Sequence, residues 1–167
     1  TRARAIAPSC RFAVPAPHTV VKGDEYYGDV DEASGSLYKQ YRQILREMRD
    51  AGIAGHICIC EKAVPAEMEA LAGRRVLFFV EEAGTGTLEE ILEYQQTLVV
   101  RGSDIPEIGR LRDEFEIYRV MILDPRRDDL QKALETFEPD QVQVAGYSVN
   151  GDRDYWKSLV GSATVTF

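Results

Sequence analysis

The sequence predicts an α/β domain built on a mainly parallel sheet of consecutive short strand-helix units. Beyond residue 53, short apolar runs alternate with amphipathic stretches. The centres of the runs lie roughly 20 to 23 residues apart, the repeat of one strand plus one helix. Val76-Leu77-Phe78-Phe79-Val80 and Val120-Met121-Ile122-Leu123 are apolar at successive positions, which suits strands covered on both faces rather than on one. Such units lead to a small or incomplete TIM-barrel-like sheet or, as the alternative, to a flavodoxin/Rossmann-like open three-layer sheet. At 167 residues the chain is short for a complete eightfold barrel, which takes about 250. The narrow preference is for the barrel-like sheet, because the units are short and uniform. Residues 119–144 also share the strand, Asp-Pro, helix, Pro-Asp, strand texture of such enzymes.

The first 35 residues differ in kind, with Pro8, Pro15 and Pro17 and a polar, aromatic stretch around Tyr26-Tyr27. They are expected to form an irregular arm and loop in which Arg11 to Val14 and Thr19 to Val21 are extended. A helix is expected from Ser36 to Ala51, where Leu37, Tyr41, Ile44, Leu45 and Met48 share a stripe and Gly52 follows as a C-terminal cap. Strands are expected at Ile57 to Cys60, Val76 to Val80, Leu98 to Val100, Val120 to Leu123, Val142 to Ala145 and Ala163 to Phe167. Between them, Pro65 opens a short helix that Gly73 closes and that buries Met68 and Leu71. Thr87-Leu88-Glu89-Glu90 has the form of a capping box, with Leu88, Ile91 and Leu92 apolar behind it. Asp104-Ile105-Pro106-Glu107 starts the next helix, continued by Ile108, Leu111 and Phe115. Leu130, Ala133, Leu134 and Phe137 face one helix, and Tyr155, Trp156 and Leu159 a last one. No linker divides the chain, so residues 1–167 are expected to be one domain.

Composition bounds the function. The balance of 44% hydrophobic and 29% charged residues is that of a chain able to bury a core. No apolar run is long enough to cross a bilayer, and the start of the chain lacks the apolar core of a secretion signal, so a cytoplasmic protein without membrane contact is expected. A net charge of -8 opposes a phosphate backbone, and no nucleic-acid partner is expected. The three cysteines include no CxxC pair. Cys58 and Cys60 project from one face of a strand, as small buried side chains or, with His56 or His18, as a thiolate site.

Both architectures place ligands at the carboxyl ends of parallel strands. Those ends carry Glu61 and Lys62, Glu81 and Glu82, Arg101, Ser103 and Asp104, Asp124, Arg126 and Arg127, and the polar residues from Tyr147 to Arg153. Glu81-Glu82-Ala83-Gly84-Thr85-Gly86-Thr87 runs from a strand through a glycine loop into a helix, where exposed amides suit an anion. It lacks the Gly-Lys-Ser/Thr ending of a phosphate-binding loop. Arg101 and Arg126 would hold the anion, with Gly84, Thr85, Gly86 and Thr87 offering backbone amides. Glu81 or Asp124 would serve as the catalytic acid-base group. Glu61, Glu81 and Asp124 would hold a hard divalent ion such as magnesium. The competing reading makes the same acids rim salt-bridge partners of Arg101, Arg126 or Lys62. The expected function is binding of a small anionic ligand, phosphorylated or not, at the strand ends, with a noncatalytic self-associating or regulatory domain as the alternative; a homodimer is the expected assembly.

Overall fold

A computed structural model of the chain describes residues 11–21, 30–147 and 153–163. The expected terminal strand falls mostly on residues 164–167, outside the described residues, and Ala163 lies in a turn. Ser148, Asn150, Asp152 and the Tyr26-Tyr27 pair also lie outside them. The chain divides into two compact units, residues 1–82 and 83–167. Each contains an open three-stranded parallel sheet, so the α/β class is as expected while the strands do not form one closed barrel among the described residues. No helix among those residues is long and apolar enough to cross a membrane.

In the first unit, β1 (Arg11–Pro15), β2 (Gly55–Cys60) and β3 (Val76–Val80) lie side by side in chain order. Phe12 pairs with His56 and His56 with Val76. The helices are α1 (Pro17–Val20), α2 (Val30–Asp50) and α3 (Pro65–Leu71). Two expectations are corrected. Thr19 and Val20 are helical, because Pro17 supplies a preset φ at the first helical position. Helix α2 begins at Val30, six residues before the expected Ser36. No proline interrupts residues 30–35, and Gly35 costs a helix only about 1 kcal/mol. Of its expected stripe, Leu45 is buried, whereas Ile44, one position off, is 52% exposed. Gly52 does close α2: its φ of 102° is open to glycine, and the amide of Ile53 bonds the carbonyl of Met48 at 3.1 Å. Cys58, Cys60, Met68, Leu71 and Leu77 to Val80 form the core of this unit.

In the second unit, β4 (Thr97–Arg101), β5 (Arg119–Leu123) and β6 (Val142–Ala145) are again parallel and in chain order. Its helices are α4 (Thr85–Leu92), α5 (Ile105–Leu111), α6 (Arg127–Thr136) and α7 (Arg153–Ser162), with a 3-10 turn over Gly102–Asp104. The expected capping box is displaced. Gly84 is the N-cap of α4 without a side-chain bond, and Thr87 lies inside the helix. Leu88, Ile91 and Leu92 are buried as the pattern requires, beside Leu98 to Val100, Ile108, Val120, Ile122, Leu130 and Phe137.

Candidate functional site

At the carboxyl ends of β4 and β5 the backbone makes the same turn twice. The amide of Arg101 bonds the carboxylate of Asp104 at 2.9 Å, and the amide of Arg126 bonds that of Asp129 at 2.9 Å. In each case an Asp three residues on accepts from the N-cap amide of the helical turn that follows. The carboxylate of Asp129 also packs on Gly102, where a Cβ would lie 2.3 Å from the Asp129 Cγ. Asp124 follows β5 with a φ of 48°, a left-handed conformation that Asp tolerates better than most residues.

Of the residues expected to form the strand-end site, this unit brings Arg101 and Asp124 together. Arg101 Nη1 lies 3.4 Å from Asp124 Oδ2, and the Tyr155 hydroxyl donates to Asp124 Oδ1. Burial and the hydrogen bond to Asp124 push the Tyr155 phenol up to about 12, so it stays protonated as a donor. Both oxygens of Asp124 are therefore engaged, and the group ties β4, β5 and α7 together. Gly146 lets α7 approach: a Cβ there would lie 2.3 Å from Leu159 and 2.8 Å from the Tyr155 oxygen. Asp124→Asn keeps the tolerance for positive φ and removes the charge. At side chains 31% to 40% exposed, the loss should be about 1 kcal/mol. The amides of α7 should then exchange about 5- to 10-fold faster, as read by hydrogen exchange. Unchanged protection of residues 153–162 would show that Asp124 does not hold the helix.

Arg126 is exposed, as are Gly84 and Gly86. A Cβ on either glycine would meet nothing within 4 Å. Glu61 and Glu81 are exposed and belong to the first unit, Asp124 to the second. Among the described residues no group of three or more His, Cys, Asp or Glu side chains is placed to hold a metal ion.

The first unit carries a different concentration of charge. A cavity of about 300 Å³ opens beside the amino ends of β2 and β3, the end of this sheet away from the expected strand-end face. Arg42, Arg46 and Arg49 line it from α2, and Arg75 lines it from the turn before β3. Their spacing of four and three residues places the first three on one helical stripe, because 3.6 residues make a turn. Leu45, Leu71 and Val76 add an apolar wall, and no acidic side chain lines it. Arg42 donates to the carbonyl of Ala70, and Arg49 pairs with Asp50 at 3.0 Å. Arg46 and Arg75 have no carboxylate partner among the described residues.

His56, at the start of β2, completes the lining. It is 2% exposed, and its Nε2 is buried without a hydrogen-bond partner. Burial, and then the Arg11 guanidinium, lower its pKa from 6.5, so the ring is neutral near pH 7. Gly55 gives Arg11 its place: a Cβ would lie 2.6 Å from Arg11 Nη1. The arginine spacing on α2 was legible in the sequence. That His56 would sit beside it was not, since β2 and α2 meet only in the fold.

A second pair escaped the sequence reading. Glu67, in the first turn of α3, is 0% exposed and accepts from the His18 ring at 2.8 Å and the His18 amide at 3.3 Å. His18 therefore pairs with a carboxylate rather than with a cysteine. Cys58 and Cys60 are buried, and burial, reinforced by Glu67, pushes each thiol up to about 12. At pH 8 only about one such thiol in ten thousand is ionised, so both should resist iodoacetamide in the folded protein and react after denaturation. Peptide-resolved labelling of Cys58 or Cys60 in the native state would contradict their burial.

No protein-family model matches the chain, and no curated protein or solved structure does either. The functional reading rests on the chemistry of the chain's own residues.

Proposed function

We propose that this chain binds a small anionic ligand in the arginine-lined cavity of its first unit. The carrying observation is the convergence of Arg42, Arg46, Arg49 and Arg75 with the orphaned Nε2 of His56 around about 300 Å³ with no lining carboxylate. Guanidinium forks match the oxygens of phosphate and carboxylate groups, and the volume lies at the lower end of small-molecule sites. The ligand class is the one expected from the sequence, proposed here at a different place. At the strand ends Asp124 is occupied by Arg101 and Tyr155. Binding, not turnover, is what this donor set supports. The chain's charge of -8 favours a small anion over a nucleic-acid backbone.

The test is a thermal-shift panel of inorganic phosphate, sulfate, sugar phosphates, nucleotides and dicarboxylates, each with and without magnesium. A ligand at about 100 times its dissociation constant adds roughly 2.7 kcal/mol of stability. The expected result is a saturable shift that does not need magnesium. A panel without any shift would end the reading. Self-association is the second reading, favoured by Trp156 and Val160, 45% and 71% exposed one helical turn apart on α7. A concentration-dependent sedimentation coefficient, lost in Val160→Glu, would support it.

A further inference from the structure

The cavity holds one group whose charge can change near neutral pH, and every charged side chain that faces it carries the same sign. Arg11 reaches His56 from β1, Arg42, Arg46 and Arg49 from α2, and Arg75 from the turn before β3. On α2, Asp50 is engaged with Arg49, and Glu47 accepts from the Gln43 amide at 2.9 Å. A proton on His56 would meet this positive field, while an anion seated among the arginines would offset part of it and attract the proton. Two nitrogens of a protonated imidazole both donate, so the orphaned Nε2 would become a donor toward that anion.

The arginines also speak to the shape of the ligand. Three guanidinium groups approach from one helical stripe and a fourth from a separate turn. A carboxylate offers two oxygens in one plane, whereas a phosphomonoester offers three terminal oxygens around a tetrahedral centre and can meet donors from two directions. Leu45 and Val76 supply an apolar wall for the carbon portion.

We propose that the cavity selects a phosphomonoester-type oxyanion and that His56 binds a proton together with it, so that anion binding and proton uptake are one coupled event. The proposal rests on the anion-binding reading of the same cavity and adds the ligand class and its coupling to pH. The proton comes from solvent and returns to it on release.

The signs follow from linkage. In the free protein the pKa of His56 lies below its unfolded value of 6.5, so the unfolded chain takes the proton first. This contribution leaves stability intact above about pH 6.5 and lowers it as pH falls toward the depressed folded value. A bound anion favours the protonated ring and raises the His56 pKa from its free value. Between the free and the bound titration points, anion affinity should rise up to about tenfold for each pH unit lost.

Sulfate is the decisive probe, because it neither gains nor loses a proton between pH 5.5 and pH 8. Calorimetry in two buffers of different ionisation enthalpy should show a substantial fraction of a proton taken up per sulfate bound. Malonate, a planar-ended dianion, should bind at least about 10-fold more weakly than inorganic phosphate. His56→Gln should still bind sulfate but take up no proton. Should that variant fail to fold, the wild-type protein gives the same answer by NMR. With only two histidines in the chain, the His56 ring resonance is readily assigned, and its titration midpoint should move upward with sulfate. Sulfate binding that Arg46→Glu suppresses but that takes up no proton would overturn the role of His56 and leave the cavity standing. Malonate binding as tightly as phosphate would overturn the ligand class. No binding of any oxyanion would overturn this proposal together with the reading beneath it.

Discussion

Glu67→Ala should cost the first unit about 3 to 5 kcal/mol, the largest stability effect of any single polar substitution described here. The side chain is 0% exposed and gives the His18 ring and amide their acceptor, so its removal strands two donors around a new void. Glu67→Gln keeps the volume and one acceptor oxygen and should cost less, about 1 to 2 kcal/mol. The probe matters, because the chain has two compact units and its one tryptophan, Trp156, lies in the second. Amide exchange on β2, buried at Cys58 and Cys60, reports the right unit during urea denaturation. A loss below about 1 kcal/mol for Glu67→Ala would mean that His18 finds another partner or that the void fills with water.

Reversing Arg46 and Arg75 together, Arg46→Glu with Arg75→Glu, should lower oxyanion affinity at least about 100-fold, which corresponds to about 2.7 kcal/mol. These two are chosen because Arg42 and Arg49 also hold Ala70 and Asp50, so changing them would mix a folding effect with a binding one. Each reversal removes an attraction and adds a repulsion at contact distance. The loss should shrink as salt rises, since the arginines are exposed and screened. Arg126→Glu in the second unit is the control and should leave affinity unchanged. If Arg126→Glu removes binding and the Arg46 and Arg75 reversals do not, the site lies at the strand ends of the second unit after all.

Much of the scaffold was legible without coordinates. Successive apolar positions located β3 and β5 to within a residue, Pro65 marked the first residue of α3, and Gly52 marked the end of α2. These are local signals: a run of side chains, a fixed φ or a left-handed φ acts within a few residues, and so does the pattern that reveals it. The capping box at Thr87 misled because a Ser/Thr-x-x-Glu match cannot tell a cap from the first turn behind one, and Gly84 was the residue with extended backbone. The Arg101 and Arg126 turns are local too, with Asp three residues on, although in the sequence both arginines read as holders of an anion instead.

The site was not local. Arg46 and Arg75 stand 29 positions apart in the chain, and nothing in either neighbourhood says that they border the same space as His56. Glu67 reads as an ordinary exposed helix glutamate until His18, from the far side of α2 in sequence, turns out to cover it. Asp124 reads as a free acid until Arg101 and Tyr155 take both of its oxygens. Apolar periodicity is written along the chain because burial of a helix or strand face repeats with its geometry. The partner of a charge is set by which segments fold against each other, so composition and pattern determined the α/β units while packing alone decided which ionisable groups meet, which are buried and where the arginines gather.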